Sequence, residues 1–218
     1  MLKAVVGINW GDEGKGRVVD LMSAKANYVV RYQGGNNAGH TVVTQEGKYV
    51  LNLLPSGILH PDVVCVLGNG MVIDLDHLRH EISIMQQMNV KITPDNLKIS
   101  DKATICMPMH VRQDVLEEER LSQSGSAYGS TRRGIAYAYG DKYMKKTLRI
   151  GDLLNIDQPS VRHRLSVIVE SKNLILENIY HQPPVSYDEL LEWCKTQAHM
   201  FKAVSYTHLR AHETGRNL

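Results

Sequence analysis

Two glycine-rich runs hold most of the residues that could do chemistry: Gly11-Asp12-Glu13-Gly14-Lys15-Gly16 and Asn36-Asn37-Ala38-Gly39-His40-Thr41. Phosphate is bound by several backbone N–H groups aimed at one point, and glycines allow such a cradle because they tolerate positive φ and close approach. A helix that starts at the end of the cradle adds its positive pole. Lys15 supplies a counter-charge for phosphates, and Asp12 offers the hard carboxylate oxygen that suits Mg²⁺. The loop departs from the usual nucleotide-binding loop. Asn9 stands where its first glycine belongs and Gly16 where a Ser or Thr would bind magnesium, so another group must hold the metal. His40 can donate a proton or a hydrogen bond to charge developing on a transferring phosphoryl group, with Asp12 as the complementary base. The two runs together point to a nucleotide-dependent phosphoryl-transfer enzyme.

Such loops need elements to hold them. Val5 to Ile8 is a continuous β-favouring run, expected to form a strand covered on both faces, and Val18, Val19, Leu21 and Met22 mark the apolar side of a helix after the first glycine loop. Tyr28 to Tyr32 reads as a second strand running into Gln33-Gly34-Gly35-Asn36. Both glycine loops are thus expected at the carboxyl ends of strands, where open α/β sheets place their ligands. Thr41–Val43 and Tyr49–Leu51 flank a glycine turn and predict a hairpin. Val63 to Leu67 predicts another buried strand, ending at Gly68-Asn69-Gly70, with a helix from about Asp76 to Met88 after it.

Leu97 to Ser100 predicts a short strand, and Met107 to Leu121 a helix whose outer face, Glu117-Glu118-Glu119-Arg120, is expected to be solvated. Ser122 to Gly134, rich in small polar residues, reads as a ligand loop or a mobile connection. Val161 to Ile179 has helical spacing with a break near Asn173, and Ser186-Tyr187-Asp188-Glu189 caps a last helix through Trp193 to about Lys202. The pattern predicts an α/β fold with a mostly parallel central sheet flanked by helices.

With 218 residues, 43% of them hydrophobic, the chain can bury one sizeable core. A formal net charge of +2, without blocks of like charge, gives no reason to invoke a nucleic-acid or membrane partner, so small molecules are the expected partners. Cys65, Cys106 and Cys194 are odd in number, far apart and fit no metal-ligand spacing, which suits a reducing cytoplasm. The N-terminal apolar run is too short for a signal peptide core, and no segment reaches the roughly 20 apolar residues of a membrane span. From Ala203 onward the preceding apolar face has no continuation, and residues 203–218 read as foreign read-through sequence or a disordered extension, leaving 1–202 as the domain.

Several blocks, in order, resemble one family: Asn9-Trp10-Gly11-Asp12-Glu13-Gly14-Lys15-Gly16, Arg31-Tyr32-Gln33-Gly34-Gly35-Asn36-Asn37-Ala38-Gly39-His40-Thr41, Leu54-Pro55-Ser56-Gly57-Ile58-Leu59, Gly68-Asn69-Gly70 and Gly129-Ser130-Thr131-Arg132-Arg133-Gly134-Ile135 look like adenylosuccinate synthetase. The resemblance covers most of residues 1–202. It implies a P-loop NTPase-like fold and GTP-dependent ligation of L-aspartate to IMP, through a 6-phosphoryl intermediate, on the route to AMP. By this similarity Asp12 takes the proton from N1 of IMP, and His40 acts as acid toward the phosphoryl group. Mg²⁺ is held by the Asp12 carboxylate and the Gly39 carbonyl. Gly11, Asp12, Glu13, Gly14, Lys15, Gly16 and Arg17 line the GTP phosphates together with Gly39, His40 and Thr41, with Lys15 as their counter-charge.

The same similarity assigns Asn37, Ala38 and Thr131 to IMP. Lys145 stands where the family has an arginine that reaches across a homodimer interface to the IMP phosphate; lysine keeps the charge but loses the two-pronged grip. The family's guanine- and aspartate-recognising blocks lie in its C-terminal half and have no counterpart here. An N-terminal piece is therefore expected, with a sheet incomplete on its C-terminal side and no activity alone. Two other readings stand beside this one: a different triphosphate-dependent ligase or kinase using Asp12, Lys15 and His40, and a nucleotide-binding piece without catalysis.

Overall fold

A computed structural model of the chain describes residues 1–8, 14–44 and 47–206. Gly14, in the left-handed region at φ +76°, turns the chain into α1 (Lys15–Ser23). Then come β1 (Tyr28–Gly34), the hairpin of β2 (His40–Thr44) and β3 (Gly47–Leu51), a 3-10 turn at Ser56–Leu59, β4 (Val64–Asp74) and α2 (Leu75–Gln87). Two short strands follow, β5 (Leu97–Ser100) and β6 (Thr104–Cys106), and then five helices: α3 (Pro108–Gln123), α4 (Ile135–Met144), α5 (Ile150–Leu153), α6 (Pro159–Asn178) and α7 (Tyr187–Phe201). The two-residue β7 (Ser205–Tyr206) ends the described chain.

The strands β1, β4, β5 and β7 lie in that order, all paired in parallel, and β6 pairs in parallel with the far end of β4. A parallel sheet is buried on both faces, and β4 shows it: Cys65, Leu67, Met71, Val72 and Ile73 are inaccessible to solvent. Leu97 and Ile99 of β5, Leu75 and Leu78 of α2 and Leu165 of α6 complete the same core. Each such side chain contributes about 1.5–3 kcal/mol over its exposed state.

The caps follow local sequence. Asp74 accepts the His77 N–H at 2.9 Å to start α2, and Ser186 accepts the Glu189 N–H to start α7. The hairpin is antiparallel with Thr41 opposite Val50, as expected.

Several expectations are corrected. Residues 1–7 form no strand, and Val6 and Ile8 are 61% and 93% exposed. An extended segment becomes a strand only when a neighbour completes its ladder. β1 gives one edge to β4, and no described strand takes the other. For the same reason Tyr28 and Val30 on β1 remain exposed, as do Val18 and Leu21 on the expected apolar side of α1. Among the described residues, the second glycine loop follows a strand and the run Val5 to Ile8 ahead of the first does not form one.

The strand β4 does not stop at Gly68-Asn69-Gly70 but runs on to Asp74. Its register with β1 slips between Arg31 and Gln33, and at the slip the backbones come so close that a β-carbon on Gly70 would lie 2.1 Å from the Tyr32 carbonyl oxygen. Glycine here permits close approach rather than chain reversal.

α6 runs unbroken through Asn173, whose side chain faces sideways: its amide donates to the Val185 carbonyl at 3.0 Å and its oxygen accepts the Val185 N–H at 2.7 Å. The acidic run on α3 is not all solvated either, because Glu118 is only 5% exposed. α3 turns a polar face inward, burying His110, Gln113, Asp114 and Glu118. At its centre His110 Nε2 lies 3.0 Å from Asp141, and Lys172 donates to the same Asp141 oxygen at 2.7 Å and to Gln113 at 2.8 Å. His110 Nδ1 accepts the Met107 N–H at 2.9 Å, so the ring is neutral with its proton on Nε2, toward Asp141. α4 has no legible helical period in the sequence: its buried face is Ile135, Ala138 and Asp141, and a carboxylate at an inward position hides the apolar pattern.

The segment expected to be foreign or disordered contributes to the sheet at its start. The Val204 carbonyl accepts the Ile99 N–H at 2.9 Å, and Ser205 pairs with Ile99.

Candidate functional site

At the open edge of the sheet, where β1 meets the start of α1 and the hairpin, lies a cavity of about 610 Å³ whose wall includes Lys15, Gly16, Arg31, Ala38, Gly39 and His40. Val5 and Gly7 also reach it. Gly16 sits on His40: a β-carbon there would lie 2.7 Å from the His40 Cβ and 2.9 Å from its Cγ. Gly39 is pressed against Asn52, where a β-carbon would meet the Asn52 amide nitrogen at 2.6 Å. These two close approaches bring the first turn of α1 and the turn before β2 to one place.

Arg31, inside the sheet-edge strand, organises the floor. Its guanidinium donates to the Asn52 and Gly35 carbonyls, the latter at 2.8 Å. Below it Glu81, 4% exposed, accepts the N–H groups of Asn52, Leu53 and Leu54 at 2.8, 2.9 and 3.2 Å. Burial lowers the Arg31 pKa while the Glu81 charge opposes that fall, and burial raises the Glu81 pKa while the three N–H groups and Arg31 oppose the rise. Neither sequence run contains these residues. The one legible signal was a charged residue, Arg31, in the middle of an apolar strand.

The His40 pKa is lowered, first by burial and then by the Arg31 charge, with Asp20 opposing. Its Nε2 is buried and, among the described residues, makes no hydrogen bond. A buried ring nitrogen without a partner, beside a lysine and a helix start, fits an anionic ligand that supplies the missing contact.

The turn between β1 and β2 is held from behind by α4. The Tyr139 hydroxyl takes the Gly34 N–H at 2.8 Å and lies 3.1 Å from the Gly70 carbonyl. Lys142 donates to the Gly70 carbonyl at 2.7 Å, and Gly35 is packed on Ile135, where a β-carbon would meet Cδ1 at 2.6 Å. Asn36 is buried, and its amide donates to Asp74 at 3.1 Å.

The expected site residues therefore divide. Lys15, Gly16, Ala38, Gly39 and His40 share the cavity wall. Arg17, Asn37, Thr41, Thr131 and Lys145 are exposed and are not part of that wall. Lys145 ends α4 in the left-handed conformation at φ +61°. Gly11, Asp12 and Glu13 lie outside the described residues, so the first glycine loop is represented by Gly14, Lys15 and Gly16. Among the described residues no group of three or more His, Cys, Asp or Glu could hold a metal ion. Mg²⁺ bound by one carboxylate, a backbone carbonyl and phosphate oxygens needs no such group.

A sequence profile described as adenylosuccinate synthetase matches residues 4–217. The chain belongs to the adenylosuccinate synthetase family. Adenylosuccinate synthetase from Dehalococcoides mccartyi is 44% identical over 191 residues, which are 88% of this chain and 44% of the relative. The enzyme of the same name from Carboxydothermus hydrogenoformans is 47% identical over 186 residues, 85% of this chain and 42% of that one. Among solved structures, fully ligated adenylosuccinate synthetase from Plasmodium falciparum superposes with a TM-score of 0.79 at 30% identity, covering 95% of this chain and 47% of that one. This chain thus spans less than half the length of the adenylosuccinate synthetases it matches, and its parallel sheet with flanking helices is that family's P-loop NTPase-like fold.

Proposed function

We propose that the protein of which this chain carries the phosphate-binding turns ligates L-aspartate to IMP at the expense of GTP. The seating of Gly16 on His40 carries this reading, because it joins the helix start that binds phosphate to the imidazole that serves the phosphoryl group. Lys15 neutralises the triphosphate and fixes its orientation. His40, kept neutral by burial and Arg31 in the free protein, gains a partner for Nε2 and a proton-favouring neighbour when the phosphates arrive. It then donates to the charge that develops on the transferring group.

Asp12 takes the N1 proton of IMP, which makes the purine 6-oxygen the nucleophile. Asp12 and the Gly39 carbonyl would hold Mg²⁺, which would supply charge neutralisation for the phosphates. Asn37, Ala38 and Thr131 contact IMP, and Lys145 serves its phosphate across a homodimer interface. The surroundings proposed are the cytoplasm, without nucleic-acid or membrane partners.

The test joins residues 1–202 to the C-terminal part of the Carboxydothermus hydrogenoformans relative and measures adenylosuccinate and phosphate formation from IMP, aspartate and GTP. Turnover is expected, Asp12→Asn should abolish it in a folded protein, and His40→Asn should depress phosphoryl transfer more than IMP binding. Near-normal activity of the Asp12 variant, or equal loss of both functions in the His40 variant, removes the assigned roles.

A further inference from the structure

The connection from Ser124 to Gly134 has no secondary structure, yet it is tied down at defined points. One oxygen of Glu118 accepts both the Gly129 N–H at 2.7 Å and the Ser130 N–H at 3.2 Å. One turn earlier on α3, Asp114 accepts the Ser130 hydroxyl at 2.6 Å with one oxygen and the Gly134 N–H at 2.8 Å with the other. Ser130 Oγ in turn accepts the Arg132 N–H at 3.1 Å. Both carboxylates are 5% exposed, whereas Thr131, between the tied residues, is exposed. Arg132 is held at φ +56°, a conformation a residue with a side chain adopts at a cost.

A loop of small polar residues that merely joined two helices would leave its N–H groups to water. Here four donors are instead directed at two buried carboxylates spaced by one helical turn, so that a single face of α3 dictates the backbone path on both sides of Thr131. The N-terminal end of α4 is fixed by the same means, since Gly134, its cap at φ +71°, is backed against α3 with a hypothetical β-carbon 2.6 Å from the Val111 nitrogen.

The geometry points to Asp114 and Glu118 as positioning residues that preform the 129–134 loop for a purine nucleoside monophosphate. They act through Thr131 and touch no substrate themselves. This rests on the reading above that Thr131 contacts IMP. A preformed loop spares the ligand the cost of ordering it on binding, and loss of charge-assisted hydrogen bonds should weaken the ligand on the order of 10-fold to 100-fold.

The experiment uses the 218-residue chain, with IMP as the probe. Amide exchange of Gly129, Ser130 and Gly134 is followed by NMR, and IMP affinity by calorimetry, in the unaltered chain and in Glu118→Ala, Glu118→Gln and Ser130→Ala. The unaltered chain should protect these three amides. Glu118→Ala should release Gly129 and Ser130 while the amides of β4 stay protected, and should weaken IMP at least 10-fold. Glu118→Gln should restore part of both, since its amide oxygen can still accept both N–H groups. If Glu118→Ala does not fold, Glu118→Gln and Ser130→Ala give the same comparison with smaller effects. Rapid exchange of these amides in the unaltered chain, or their release with IMP affinity changed less than twofold, overturns the positioning role and leaves the Thr131 reading standing. Protected amides in an unaltered chain that binds no IMP overturn the reading of Thr131 and the positioning role with it.

Discussion

The α-carbon of Gly16 rests on the ring of His40, so closely that one added methyl group would lie 2.7 Å from Cβ and 2.9 Å from Cγ. Two glycine runs separated by nineteen residues in the sequence therefore meet at Gly16 and His40 with no other side chain between these two residues. Replacing Gly16 by Ala should push His40 or the first turn of α1 aside. Overpacking of this kind costs about 1–3 kcal/mol. In the joined protein, turnover should fall at least tenfold, with the far-ultraviolet circular dichroism unchanged; wild-type turnover would show that the contact does not set the geometry of the reacting groups.

Glu81 collects three N–H groups from the segment that also carries the Asn52 side chain packed on Gly39. In Glu81→Gln an amide NH₂ must face at least one of those donors, leaving a buried donor unsatisfied and removing the Glu81 charge that favours the charged Arg31. Destabilisation of about 1–3 kcal/mol is expected. Urea denaturation measures it, and an unchanged midpoint would remove Glu81 as the support of the cavity floor.

Tyr139→Phe deletes one oxygen that serves the Gly34 N–H and the Gly70 carbonyl where β1 and β4 slip in register. The loss should be about 1 kcal/mol, read as a lower thermal midpoint. Amide exchange at Gly34 should rise by at least tenfold relative to β4. Protection retained at Gly34 would mean that another group satisfies it.

Burial above all, with the Lys172 charge adding to it, holds the His110 pKa below its ordinary value of 6.5 against the pull of Asp141. The native state then binds fewer protons than the unfolded chain in the interval between the lowered pKa and 6.5. His110 therefore contributes stability that is complete above the ordinary value and is lost as pH falls toward the lowered one. Denaturant midpoints between about pH 7.5 and 5 should decline less steeply in His110→Gln than in the unaltered chain. Equal slopes would show that folding leaves the His110 pKa unshifted. His40 and His77, both also lowered first by burial, add in the same direction.

The three free cysteines are buried, and burial pushes the Cys65 and Cys194 thiols up to about 12 and raises the Cys106 thiol too. The thiolate is the reactive form. A disulfide reagent should modify none of them within minutes under native conditions and all three in denaturant; rapid native labelling of any one would mean that its element opens.

By itself the sequence determined the parts whose cause is local. Val63 to Leu67, apolar throughout, could only be a covered strand; Ser186 and Glu189 specified the start of α7; the glycines around Lys15 and His40, and the order of the motif blocks, announced the family. Tertiary structure decided whatever depended on a distant partner. The run Val5 to Ile8 has strand residues but no described neighbour to complete its ladder. Gly70 looks like a turn until β1 is laid within reach of its α-carbon, and Glu118 looks solvated until the loop after α3 folds back to offer two N–H groups. Glu81 was silent for the same reason, and Arg31 showed only as a charge within an apolar strand: a buried charge becomes intelligible only when the backbone groups that satisfy it, far away in the chain, have been brought beside it.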